Sequence, residues 1–113
     1  MTEENERPWG RYDNLYETEN SKTKIIKINP GERFSLQFHN EREEHWIFIR
    51  GKGRVTLGES DIEVKVGDYV YVPKEKIHRV EAYDDGLDFI EIQRGNCYEE
   101  DIVRLEDDYN RIK

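Results

Sequence analysis

A single cysteine, Cys97, stands in the 113 residues, so no disulfide can close within the chain. No apolar run comes near the ~20 residues a membrane-spanning helix needs. The acidic opening Met1-Thr2-Glu3-Glu4-Asn5-Glu6 has no hydrophobic stretch to serve as a secretory leader. These absences lead to the expectation of a cytoplasmic protein with no membrane partner. Cations are also in short supply: 18 Lys and Arg face 26 Asp and Glu, a net charge of −8. Nucleic acid demands a basic footprint and is not an expected partner. Hydrophobic residues are only 35% against 39% charged, yet seven Tyr, four Phe and two Trp argue against disorder. The length suits one domain and excludes two.

What is present is a series of short apolar runs separated by turn residues. Lys24-Asn29, Phe34-His39, His45-Arg50, Arg54-Leu57, Ile62-Val66, Tyr69-Val72, Arg79-Ala82 and Leu87-Gln93 read as strands. Asn29-Pro30-Gly31, Gly51-Lys52-Gly53, Gly58-Glu59-Ser60, Val66-Gly67-Asp68, Val72-Pro73 and Asp84-Asp85-Gly86 read as breaks, and Asn14-Ser21 as a loop. Such spacing predicts an all-β sandwich or barrel. Near the end the period changes: Ile102, Leu105, Tyr109 and Ile112 step by three, four and three, which predicts one amphipathic helix. The expected layout is a disordered lead-in over 1–6, a barrel over 7–97 and a helical tail over 98–113.

All three histidines lie in two stretches, Gly31 to Gly51 and Gly67 to Arg79. Residues two apart on a strand share a face, so Gln37 and His39 point together. A hairpin turn over Asn40-Glu43 would set Glu44 across from His39. His78 would complete the set from a separate strand. Two imidazoles, a carboxylate and an amide suit a divalent Zn²⁺, Mn²⁺, Fe²⁺, Co²⁺ or Ni²⁺, with zinc the first choice. His45 falls on the opposite strand face and reads as structural or interfacial. Trp46 reads as barrel filling and Cys97 as a non-catalytic thiol.

These stretches resemble the cupin superfamily. Gly31, Gln37-x-His39, Glu44 and Gly51 are similar to its first motif, and Gly67, Pro73 and His78 to its second. The Gln-x-His variant within Ser35-Leu36-Gln37-Phe38-His39-x-x-Arg42-x-Glu44-His45-Trp46 resembles the type II mannose-6-phosphate isomerase cupin domain. Arg7-Pro8-Trp9-Gly10 and Asp101-Ile102-Val103-Arg104-x-Glu106-Asp107-x-Tyr109 do so too. The chain departs from that pattern at Asn40 and Glu41, where histidine is common, at Glu75, and in a shortened tail between Gly95 and Asp101. Family members are commonly fused behind a pyrophosphorylase, whose phosphate-cradling glycine loop is absent from this sequence. The chain is therefore expected to act as a stand-alone domain.

The resemblance implies a double-stranded β-helix, or jelly-roll, barrel with a metal in its mouth, followed here by the short C-terminal helix. It also implies interconversion of mannose 6-phosphate and fructose 6-phosphate. One metal would sit on Gln37, His39, Glu44 and His78, and Glu91 is the candidate base for the proton moved between C1 and C2. Arg42, Arg79 and Arg104 are the candidates for the phosphate of a phosphosugar, Arg42 counting with Glu91 as a catalytic candidate as well. A non-catalytic sugar-binding cupin and a small oxygenase are the alternatives. A homodimer is expected through the outer face that carries Ile47 and Ile49, unless the tail or the segment around Trp9 covers it.

Overall fold

The computed structural model describes residues 5–111. Nine strands run through them: β1 Glu6–Arg7, β2 Gly10–Thr18, β3 Ser21–Ile28, β4 Leu36–Phe38, β5 Arg42–Leu57, β6 Ser60–Lys65, β7 Tyr69–Val72, β8 His78–Gly95 and β9 Val103–Glu106. Four of the expected short strands prove to be two long ones, β5 and β8. These two are antiparallel along their whole length, from Arg42 opposite Gly95 to Leu57 opposite His78. Their register slips between Phe48 and Arg50 and again between Gly51 and Gly53. A Cβ on Gly51 would lie 2.0 Å from the Gly86 carbonyl oxygen, and Gly51 has a φ of 85°. Glycine is what lets the two backbones close at the bend. Gly51, Gly53 and Gly86, read as strand ends, are therefore bends within strands, whereas Gly31, Gly58 and Gly67 do stand in the expected breaks.

The bend divides the sheet into two halves that fold over one another. In one half, β1, β2 and β3 lead to the Leu87–Arg94 part of β8, followed by the first part of β5 and then β7. In the other, β9 and β4 lead to the start of β8, followed by the last part of β5 and then β6. The result is the double-stranded β-helix expected from the sequence. Trp46, Phe48, Val55, Val80, Leu87 and Phe89 fill its interior. Alternation sends Ile47 and Ile49 outward, 43% and 45% exposed, and neither the described part of the tail nor Trp9 covers them.

Three expectations need correction. Asn14-Ser21 is not a loop: β2 continues to Thr18 through a bulge at Asn14 and Tyr16, and exposure of Leu15 and Tyr16 removes the apolar signal. The C-terminal helix is not formed; Val103–Glu106 is strand β9, paired to β4. A short isolated helix is marginal in water, whereas the open edge of β4 offers hydrogen bonds to an extended chain. Ile112, the last residue of the helical pattern, lies outside the described residues, as do residues 1–4 of the expected lead-in, while Glu6 pairs with Arg11. Among the described residues no helix is long and apolar enough to cross a membrane.

Candidate functional site

His39 follows β4 directly, Glu44 is the third residue of β5 and His78 opens β8. One ligand atom from each lies within 4.8 Å of the others, and all three side chains are buried. The expected route to this meeting is wrong even though the meeting is right. β4 pairs with β8 and β9 rather than with β5, and Gln37 stands opposite His78. The turn after His39 is held by the tail: the Asp101 carboxylate accepts from the N–H groups of Asn40 and Glu41 at 2.9 and 2.8 Å.

Both imidazoles are oriented by backbone carbonyls. His39 Nδ1 donates to the Asp101 carbonyl at 2.5 Å and His78 Nδ1 to that of Lys76 at 2.9 Å. A carbonyl only accepts, so Nδ1 carries the proton on each ring and the Nε2 lone pair is left facing inward. Burial first, then the positive Arg42 and the neighbouring His78, lowers the His39 pKa to about 3. Burial likewise lowers that of His78 to about 4. Both rings are neutral at pH 7, the form a metal requires.

Glu44 is 1% exposed and held from two sides, by Trp46 Nε1 on Oε1 at 3.0 Å and by Arg42 Nε on Oε2 at 2.9 Å. Trp46 thus fills the barrel and also fixes a candidate ligand. Gln37 Nε2 faces the Nε2 atoms of His39 and His78 at 3.4 and 3.5 Å, while its oxygen takes the Ser35 hydroxyl. Turning the amide by half a rotation presents Oε1 to the same point and Nε2 to the hydroxyl, which accepts as readily as it donates. The donor set already receives a cation: Arg42 Nη2 donates to His39 Nε2 at 3.1 Å while its Nε bonds Glu44. Two neutral imidazoles, a carboxylate and an amide fit a divalent ion.

Beside this set, Glu91 and Gln93 face inward from β8 and line a cavity of about 90 Å³. Glu91 is buried, and desolvation, the Glu44 charge and a hydrogen bond with Glu44 raise its pKa to about 7. Gln93 Nε2 donates to Glu91 Oε2 at 2.8 Å, whereas the buried Gln93 Oε1 has no partner among the described residues. Trp9, Tyr12, Ile26 and Phe34 supply the apolar wall.

The arginines separate into three situations. Burial opposes the charge on Arg42, but Glu44 and Glu91 outweigh it and hold the guanidinium protonated. Its atoms are committed to Glu44, His39 and the Tyr98 carbonyl, so it is not a free clamp. Arg79 points away from the cavity, as the neighbour of an inward His78 must, and donates to the Phe34 carbonyl and to Glu106. Arg104 does line the cavity, together with Arg7 and Arg111, which the reading by type and spacing missed. Gln93 and Asp101 were missed as well. Alternation with Glu91 could have pointed to Gln93, whereas Asp101 stands in the resembling tail motif with nothing local to show what it holds. On the outer face His45 bonds Glu43 and Tyr69, a structural placement, and half-buried Cys97 donates to the Gly95 carbonyl.

Residues 1–107 match the family described as Mannose-6-phosphate isomerase C-terminal. The chain belongs to this family. The mannose-1-phosphate guanylyltransferase ManC of Salmonella typhimurium is 38% identical over 108 residues, 94% of this chain but 22% of ManC. The alginate biosynthesis protein AlgA of Pseudomonas aeruginosa is 38% identical over 107 residues, 93% of this chain and 22% of AlgA. The chain therefore spans about a fifth of the length of these relatives. A Klebsiella pneumoniae protein with a double-stranded β-helix domain superposes with a TM-score of 0.72 at 19% identity, covering 82% of this chain and 76% of that one. That likeness concerns the fold alone.

Proposed function

We propose that the chain is a metal-dependent aldose–ketose isomerase interconverting mannose 6-phosphate and fructose 6-phosphate. The observation that carries this reading is the convergence of His39, Glu44 and His78 within 4.8 Å, in a chain of this family. Gln37, His39, Glu44 and His78 would hold one divalent ion, zinc first among the candidates. When bound, such an ion would supply Lewis-acid stabilisation of negative charge on a substrate oxygen. The remaining chemistry belongs to the chain. Isomerisation moves a proton between C1 and C2, and a buried carboxyl with a pKa of about 7 can both take and return it near neutral pH. Glu91 is that group. Gln93 Oε1, lacking a partner among the described residues, accepts from a sugar hydroxyl, and the wall of Trp9 and Phe34 keeps water from the exchanging proton. The name of the Salmonella relative, a mannose-1-phosphate guanylyltransferase, supports a mannose phosphate as the substrate class.

The test is a coupled assay with mannose 6-phosphate on metal-stripped protein reloaded in turn with Zn²⁺, Mn²⁺, Co²⁺ and Ni²⁺. Fructose 6-phosphate should form with at least one ion. His78→Ala should lose stoichiometric metal and turnover while circular dichroism stays that of a β-barrel, and Gln37→Ala should be milder because a neutral amide contributes least. No product with any ion would overturn the reading.

A further inference from the structure

We infer that Arg7, Arg104 and Arg111 form a phosphomonoester-binding subsite at the cavity mouth, and that this subsite, rather than Arg42, receives the 6-phosphate. Its assignment to the 6-phosphate rests on the isomerase reading; the anion subsite itself does not. In a chain of net charge −8, the cavity wall carries five cations, Arg7, Lys24, Arg42, Arg104 and Arg111, against two carboxylates, Glu91 and Glu99. Lys24 is paired to Glu99 at 2.8 Å and Arg42 is committed to Glu44 and His39. Arg111 is paired as well, to Asp107, which leaves Arg104 as a cavity cation with no carboxylate bonded to it among the described residues.

Their position suits a charged ligand. The same three line both the inner cavity and an adjoining surface depression of about 530 Å³, so they stand where interior meets solvent. A dianion held there keeps part of its hydration, while the rest of the ligand enters.

Each guanidinium is prepared in a different way. Arg7 is held by the Glu6 carbonyl and the Tyr12 hydroxyl, with its charge over the Tyr12 ring. Arg111 is fixed by a two-point bond to Asp107 at 2.8 and 2.9 Å. Among the described residues the Arg104 side chain makes neither a hydrogen bond nor an ion pair, and its Nε is buried without a partner. Burial first, then the positive Arg111 and Arg7, lowers the Arg104 pKa against the opposing pull of Asp107. Such a group lacks an anion. Buried donors are rarely left unpaired, because leaving them so forfeits the hydration they had when unfolded.

The topology joins this subsite to the metal centre. Arg104 on β9 is the register partner of Gln37 on β4, and Gln37 stands opposite His78. Neighbouring strands are about 4.8 Å apart, so an acyclic hexose phosphate can reach from one group to the other. The phosphate would then act as the handle that places C1 and C2 against Glu91 and the metal ligands.

The experiment is titration of the full chain with inorganic phosphate, mannose 6-phosphate and mannose, metal-free and zinc-loaded. Binding is followed by calorimetry and by the arginine Nε–H resonances. The Arg104 Nε–H signal should move with both phosphates, and mannose 6-phosphate should bind the tighter of the two. Arg104→Gln should weaken both by about tenfold or more. It should leave zinc content, mannose binding and thermal midpoint unchanged, since the Arg104 side chain has no bond among the described residues to lose. Arg104→Lys should restore part of the affinity as a point charge. Wild-type phosphate affinity in Arg104→Gln, or a shift confined to Arg42, would overturn the subsite. Tighter binding of inorganic phosphate than of mannose 6-phosphate would overturn its assignment to the substrate. Phosphate binding through Arg104 without turnover leaves the subsite standing and removes the isomerase. Turnover with an unchanged KM in Arg104→Gln does the reverse.

Discussion

Glu91 shows how one residue ties stability to chemistry. Its ordinary pKa of 4.5 rises to about 7 in the folded protein, chiefly through burial and then through the Glu44 charge. Between these values the folded chain keeps a proton that the unfolded chain has released. Stability of the metal-free protein therefore falls as pH rises through that window, by on the order of 3 kcal/mol. His39 and His78 act in the opposite sense. Their folded pKa values of about 3 and 4 lie below the ordinary 6.5, so stability is lost as pH falls from about 6.5 through the folded values. Glu91→Gln removes the first effect alone and leaves Gln93 an acceptor. Urea denaturation of the metal-free variant should show it more stable than wild type at pH 7, with the difference shrinking toward pH 4. A gap that does not change with pH would remove burial as the cause.

At the scale of elements, the segment behind Gly95 matters more than its sequence suggests. Its Asp101 carboxylate holds the N–H groups of Asn40 and Glu41, and its carbonyl sets the tautomer of His39. Asp101→Ala removes the first hold and leaves the second to a looser backbone. Zinc affinity, measured by competition with a chromophoric chelator, should fall about tenfold, the low end of what outer partners of metal ligands contribute. Stability should fall by about 1–2 kcal/mol, and Asp101→Asn should recover part of both. Undiminished affinity in the alanine variant would show that β9 and the Lys76 carbonyl suffice. Local reading could not reach this contact. Asp101 sits in a polar run, and its partners are some 60 positions earlier in the chain. The same limit explains the helix that is not there. Steps of three and four over so short a stretch also fit a strand edge, and the open side of β4 decides between them.

The whole molecule presents an outer apolar face that no described residue covers. Ile47, Ile49, Tyr69 and Tyr71 are all exposed there, around the pairing of β5 with β7. The expected homodimer would bury this face, since apolar groups left in water favour association. Multi-angle light scattering at micromolar concentration should give twice the 13.6 kDa chain mass, and Ile47→Lys should return the monomer. A wild-type monomer would leave these residues as ordinary surface.

What the sequence determined by itself was the local part. Alternation named the strands and sent His45, Ile47 and Ile49 outward, because side-chain direction on a strand has period two wherever the strand lies. Residue type named His39, Glu44, His78 and Gln37, because few side chains can hold a divalent ion. Tertiary structure alone decided which cations meet. Arg7, Arg104 and Arg111 come from opposite ends of the chain, and pairing of β9 with β4 brings the last two to a cavity that Arg7 already lines. It also took Arg42 against the candidate ligands and turned Arg79 away from the cavity, where it lies buried against Phe34 and Glu106. An arginine reads alike whether it is free, paired or bound to a carbonyl, and only the packing of its neighbours makes the difference.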